Sequence, residues 1–149
     1  METEHIKKSH NVSCILYHFV CPIKNRRKIL KEENRVKLLK NICMDIERNY
    51  EIYFIEIWSD IDHVHFLIQS VPTMSPTKII TTVKSISWRE MFKRDKTLRQ
   101  DLLWWYFWTS WFYVNTVWLY ASEQTIREYV KGQWLKDYQQ VLKYQLKLF

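Results

Sequence analysis

Ile52-Tyr53-Phe54-Ile55-Glu56-Ile57-Trp58-Ser59-Asp60-Ile61-Asp62-His63-Val64-His65-Phe66-Leu67-Ile68-Gln69 is the stretch on which the fold turns. Ile52 to Ile57 and Ile61 to Gln69 are rich in β-branched and aromatic residues and read as strands, with the short Ser59-Asp60 link of a hairpin between them. Side chains on a strand alternate faces, so His63 and His65 point the same way. Val64, Phe66 and Ile68 point the other way and offer an apolar packing surface. Two imidazoles side by side on a stiff strand make half of a divalent-metal site. Two surface histidines on an edge strand would read the same, so the remainder of the chain must decide.

Working outward, Val12 to Val20 reads as a strand closed by Cys21-Pro22, and a basic stretch follows with Lys24, Arg26, Arg27 and Lys28. Ile29/Leu30, Val36, Leu39, Ile42/Cys43 and Ile46 recur at helical spacing up to about Arg48. Pro72 and Ser75-Pro76 mark a loop. Thr77 to Lys93 is a second helix whose Lys78, Lys84, Arg89 and Lys93/Arg94 form a basic side. Phe112 to Val117 reads as a fourth strand. Ser122 is a good N-cap, with Glu123 in the first turn, for a last helix through Ile126, Tyr129, Val130 and Gln133. The order β-α-β-β-α-β-α predicts one α+β domain over residues 1–149. Its architecture is a ferredoxin-like (RRM-like) antiparallel sheet with helices on one face and an added C-terminal helix.

Composition narrows the function. A chain of 149 residues with a net charge of +7 suits an anionic partner such as nucleic acid or a membrane surface. The three cysteines form no CxxC pair and predict a reduced, cytoplasmic protein. Polar Met1 to Ser9 predicts no signal peptide. Leu102 to Ser122 carries no charge, long enough to raise a membrane span. Its Trp and Tyr favour interfaces over hydrocarbon, and Thr109, Ser110, Asn115 and Thr116 interrupt it. A loop followed by a buried or dimer-facing strand fits better, with no membrane partner.

Tyr129 and Gln133 sit one turn apart on one helix face. A phenol that titrates near 10 is a poor nucleophile at neutral pH. A metal that polarises a phosphate changes this. Gln133 offers an amide oxygen as a third ligand beside two imidazoles. A core tyrosine would read the same from spacing alone.

Three segments taken together resemble a known family. They are His63-Val64-His65 after an acidic residue, Trp108-Thr109-Ser110 with Tyr113-Val114 and Thr116-Val117, and Ile126-Arg127-Glu128-Tyr129-Val130-Lys131-Gly132-Gln133. The chain resembles the single-tyrosine HUH transposases of the insertion-sequence 200/605 family from roughly Ser13 to Gln133. The resemblance implies that His63, His65 and Gln133 bind Mg²⁺ or Mn²⁺ and that Tyr129 is the nucleophile. It implies attack on a scissile phosphate of single-stranded DNA, giving a 5′-phosphotyrosine link and a free 3′-hydroxyl that later resolves it. It also implies a homodimer whose active sites are completed between subunits, and recognition of subterminal DNA hairpins through basic surfaces. Lys24, Arg26, Lys84 and Arg89 are the candidates for that contact.

Other readings of the same residues are a domesticated palindrome-processing HUH nuclease and a catalytically inactive nucleic-acid-binding module. A histidine-triad hydrolase is disfavoured because Leu67 stands where its third alternating histidine belongs. One departure from the family concerns glycine. The chain has one Gly and eight Trp, whereas Gly is ordinarily about 7% of residues. Trp111 and Trp118 stand where the family carries glycine, and Trp58 and Trp105 with them. This predicts a gene that reads UGA as glycine, translated here with UGA as tryptophan; a genuine Trp-rich variant with an aromatic dimer interface is the other reading.

Overall fold

The computed structural model describes residues 4–102 and 106–117. These belong to one unit, Thr3–Val117; Trp118–Phe149 with Met1–Glu2 makes a second, which lies outside the described residues. The expected C-terminal helix, with Ser122, Tyr129 and Gln133, falls in that second unit.

A small hairpin of β1 (Ile6–Lys7) and β2 (Val12–Ser13) precedes the main sheet. The sheet contains β3 (Ile15–Pro22), β4 (Ile52–Ser59), β5 (His63–Ser70) and β6 (Tyr113–Thr116) in the order β4-β5-β3-β6, every pair antiparallel. Counted along the main sheet, the strand order is 4-1-3-2, the ferredoxin-like arrangement that the element order predicts. The histidine strand is therefore central rather than an edge.

α1 (Glu33–Asn49) buries Leu39, Ile42, Cys43 and Ile46, and α2 (Pro76–Arg94) buries Ile79, Ile80, Val83, Met91 and Phe92. Both stripes join one core with Phe19, Cys21, Val64, Phe66 and Ile68 of the sheet, so both helices cover the same face. α2 starts cleanly because Ser75 caps it, its Oγ accepting from the Lys78 N–H at 3.2 Å with Pro76 in the first turn. A short α3 (Leu98–Asp101) follows.

The one strand expected over Val12 to Val20 is instead two, β2 paired with β1 and β3 in the main sheet, and other boundaries also differ from the periodicity. β3 continues through Cys21 and Pro22, since Pro22 pairs with His63 across the sheet. The first helix begins at Glu33 and not at Ile29. Residues Ile29–Lys31 make one 3₁₀ turn held by Leu30 N–H donating to the Ile61 carbonyl and by Arg35 Nη1 donating to that of Ile29. The hairpin link comprises Asp60, Ile61 and Asp62, because Asp60 N–H donates to the His63 carbonyl at 2.9 Å and closes the turn there.

Arg35 projects inward from α1 and gathers Asp95 (3.0 Å) and Asp101 (2.6 Å), with Thr97 Oγ1 at 3.0 Å. This ties α1 to the chain that follows α2. No helix among the described residues is long and apolar enough to cross a membrane.

Candidate functional site

Every residue of β5 is buried, on both faces. Val64, Phe66 and Ile68 enter the helix-covered core, as their alternation predicts. His63 and His65 share the other face, each 3% exposed, with ring centroids 5.0 Å apart. Cross-strand pairing decides what else lies there. Val20 opposes His65 and Pro22 opposes His63 on β3, while Asn115 of β6 opposes His18. On β4 a bulge between Phe54 and Glu56 shifts the register by one, which brings Trp58 opposite His65 and Ile57 opposite Phe66. The Trp58 indole stacks on His65 at 5.8 Å and on His18 at 6.3 Å.

Each site histidine is oriented through its Nδ1. His63 Nδ1 lies 2.7 Å from Asp62 Oδ1; a carboxylate can only accept, so this nitrogen carries the hydrogen. Asp62 is held in turn by Arg26, whose Nε and Nη2 reach Oδ2 at 3.0 and 2.9 Å. Arg26 and its neighbour Asn25 are the positive-φ residues of the described chain, at 51° and 53°. Such backbone costs about 1–3 kcal/mol per non-glycine residue and marks a loop held in place by its contacts. His65 Nδ1 lies 3.0 Å from Nε2 of His18. With Nδ1 committed on both rings, a metal would be taken on Nε2.

The His65 and His18 rings are held neutral. Burial, then the like charges that His18 and His63 would carry, drive the His65 imidazole down to about 3. Burial drives His18 down to about 4 against a smaller pull from Asn115. Neutral imidazole is the ligating form, so the donors fit a divalent ion. Among the described residues no group of three or more His, Cys, Asp or Glu could hold a metal. The remaining expected partners, Gln133 and Tyr129, lie outside the described residues.

The structure distributes the four basic candidates over three places. Lys24 and Lys84 line one cleft of about 380 Å³ together with Trp88, Tyr106 and Phe112. There Trp88 and Tyr106 stack at 5.7 Å and Lys24 Nζ lies 5.9 Å from the centroid of the Tyr106 ring. Lys84 Nζ donates to the Trp111 carbonyl at 3.2 Å, and burial pushes its ammonium below the ordinary lysine value. Arg89 borders a second groove of about 320 Å³, lined by Trp88, Phe92, Lys93, Lys96 and Arg99. Arg26 goes to Asp62, as above.

Sequence reasoning missed His18, although the same alternation that places Leu16 and Val20 on one face places His18 between them. It also missed Lys96 and Arg99. Neither Trp58 nor Trp111 adopts the left-handed backbone that calls for glycine.

A family model described as "Transposase IS200 like" matches residues 11–133. A crystal structure of a protein from Deinococcus radiodurans R1, assigned as a transposase, superimposes with a TM-score of 0.68 at 25% identity. The match covers 86% of this chain and 97% of that one. A REP-associated tyrosine transposase bound to a REP hairpin aligns at 16% identity and a TM-score of 0.49, over 85% of this chain and 68% of that one. No curated protein matches the chain.

Proposed function

The chain belongs to the IS200-like transposase family, and from that premise we propose that it is a metal-dependent transposase acting on single-stranded DNA. It cleaves and rejoins element ends through a 5′-phosphotyrosine intermediate. The observation that carries this reading is the pair of buried imidazoles of His63 and His65, each fixed through Nδ1 on one face of a central strand. Structural histidines need no common face and no such orientation, whereas metal ligands need both.

His63, His65 and Gln133 would hold Mg²⁺ or Mn²⁺, which when bound supplies Lewis-acid polarisation of the scissile phosphate. Tyr129 gives up its phenolic proton, and its oxygen forms the new bond to phosphorus as the bond to the 3′-oxygen breaks. That oxygen takes up a proton and leaves as a 3′-hydroxyl. Resolution reverses the exchange on another 3′-end, so bond energy is conserved and no nucleotide triphosphate is consumed. Asp62 and Arg26 act behind His63 to hold its ring.

The partners in this reading are DNA with subterminal hairpins and a second copy of the chain, whose tyrosine helix completes the histidine site. It acts in the cytoplasm. Lys24 and Lys84 in the cleft with Tyr106, and Arg89 in the groove beside it, supply cationic and aromatic contacts of the kind that bind phosphates and unpaired bases.

The test is formation of a covalent adduct. Full-length protein with Mn²⁺ is expected to attach to single-stranded oligonucleotides from the flanks of its own gene, and Tyr129→Phe to lose the adduct. An adduct that survives Tyr129→Phe removes the assignment of the nucleophile.

A further inference from the structure

His18 takes no part in the chemistry above, yet it is as deeply enclosed as the two histidines that do, at 2% exposure. Its ring lies nearly parallel to that of His65, at 9° and 5.2 Å between centroids, with Nε2 of His18 3.0 Å from Nδ1 of His65. Two ring nitrogens at that distance share one hydrogen, and its owner matters. When His18 Nε2–H donates, neutral His65 keeps its own hydrogen on Nε2, the nitrogen a metal would use. When His65 Nδ1–H donates, Nε2 presents a lone pair, and neutral His18 must carry its hydrogen on Nδ1.

That second arrangement needs an acceptor for His18 Nδ1–H. The strand register supplies one. Asn115 of β6 is the cross-strand partner of His18. Its buried Oδ1 and the buried Nδ1 of His18 complete no hydrogen bond of ordinary geometry, although the Asn115 side chain already acts on the His18 ring as its hydrogen-bonding neighbour. A donor and an acceptor thus stand on adjacent strands, in register, behind a metal-facing histidine. A leucine at position 18 would fill the space and accept nothing.

We propose that Asn115, His18 and His65 form a tautomer relay across three strands, in which His18 is a positioning residue that holds the hydrogen of His65 on Nδ1 and presents Nε2 to a divalent cation. The proposal rests on the reading of His63 and His65 as metal ligands. It adds a residue to that site which touches neither metal nor DNA.

The test uses the full chain, Mn²⁺ alone as the probe, and imidazole nitrogen NMR without metal. In the wild type the His65 hydrogen is expected on Nδ1. His18→Leu should weaken Mn²⁺ binding by about 10- to 100-fold, as loss of a ligand's orienting partner does. His18→Gln, which keeps an acceptor toward His65, should recover most of the loss. A wild-type hydrogen on Nε2 overturns the relay, and so does a His18→Leu affinity within about twofold of wild type. A His18→Gln that binds no better than His18→Leu overturns it as well. The NMR measurement decides alone when His18→Leu does not fold. His65→Ala separates the two claims. Full Mn²⁺ binding by His65→Ala removes the metal-site reading itself. Loss in His65→Ala with normal binding in His18→Leu removes only the relay.

Discussion

Asp62 joins Arg26 to His63: one carboxylate oxygen accepts from His63 Nδ1 at 2.7 Å while the other holds the Arg26 guanidinium at 2.9 Å. The carboxylate therefore orients the imidazole, and the arginine orients the carboxylate. Asp62→Asn keeps the shape but can turn its amide N–H toward His63 and reverse the tautomer. Mn²⁺ affinity measured by calorimetry is expected to fall about 10- to 100-fold in Asp62→Asn, and less in Arg26→Gln. Unchanged affinity in both variants would break the link between Asp62 and metal binding.

Charge alone makes Arg26 a DNA-contact candidate, but its ion pair with Asp62 separates it from the others. Lys24→Ala and Arg89→Ala should weaken hairpin binding and each lower the slope of log affinity against log salt by about one. Arg26→Ala should leave that slope unchanged. A salt titration of a fluorescent hairpin distinguishes them; an equal loss of slope in all three returns Arg26 to the DNA surface.

Replacing Arg35 with Leu strands the carboxylates of Asp95 and Asp101. Asp101 is 46% exposed, so the loss should be about 2–3 kcal/mol, below the about 3–5 kcal/mol of a fully enclosed pair. Chemical unfolding measures it, and a change under about 0.5 kcal/mol would make this a surface-type ion pair.

Acid should act through Asp95. Burial works to push its carboxyl up, but Thr97 and Arg35 together outweigh burial and hold it below the ordinary carboxylate value. A depressed folded value means the stabilisation is present above the unfolded value of about 3.9 and is lost as pH falls through the folded one. The fall of Tm below about pH 4 should therefore be shallower in Asp95→Asn than in wild type. Parallel curves would exclude Asp95 from acid unfolding.

The tryptophans make a genetic prediction. The codons for Trp58, Trp105, Trp111 and Trp118 are expected to be UGA. Trp108 is expected to be UGG, because it is buried and its Nε1 donates to Ser87 Oγ at 2.9 Å, a contact glycine has no side chain to make. UGG at Trp111 and Trp118 ends the recoding idea. The negative φ of Trp58 and Trp111 means that close packing, and not a left-handed turn, would be the reason for glycine there.

Local order in the chain was enough for much of this. Period-two alternation put His63 and His65 on one face and Val64, Phe66 and Ile68 on the other, because a strand leaves side chains no other choice. The 3.6-residue repeat located both helices, and the element order implied the strand order 4-1-3-2. The tertiary structure alone decided that β5 is buried on both faces, that the bulge near Ile55 rephases β4, and that Arg26 reaches Asp62. It alone set His18 against His65, 47 residues apart in sequence. Periodicity reports which way a side chain points. Its neighbour across the sheet is set by long-range pairing and register, for which the local sequence carries no signal.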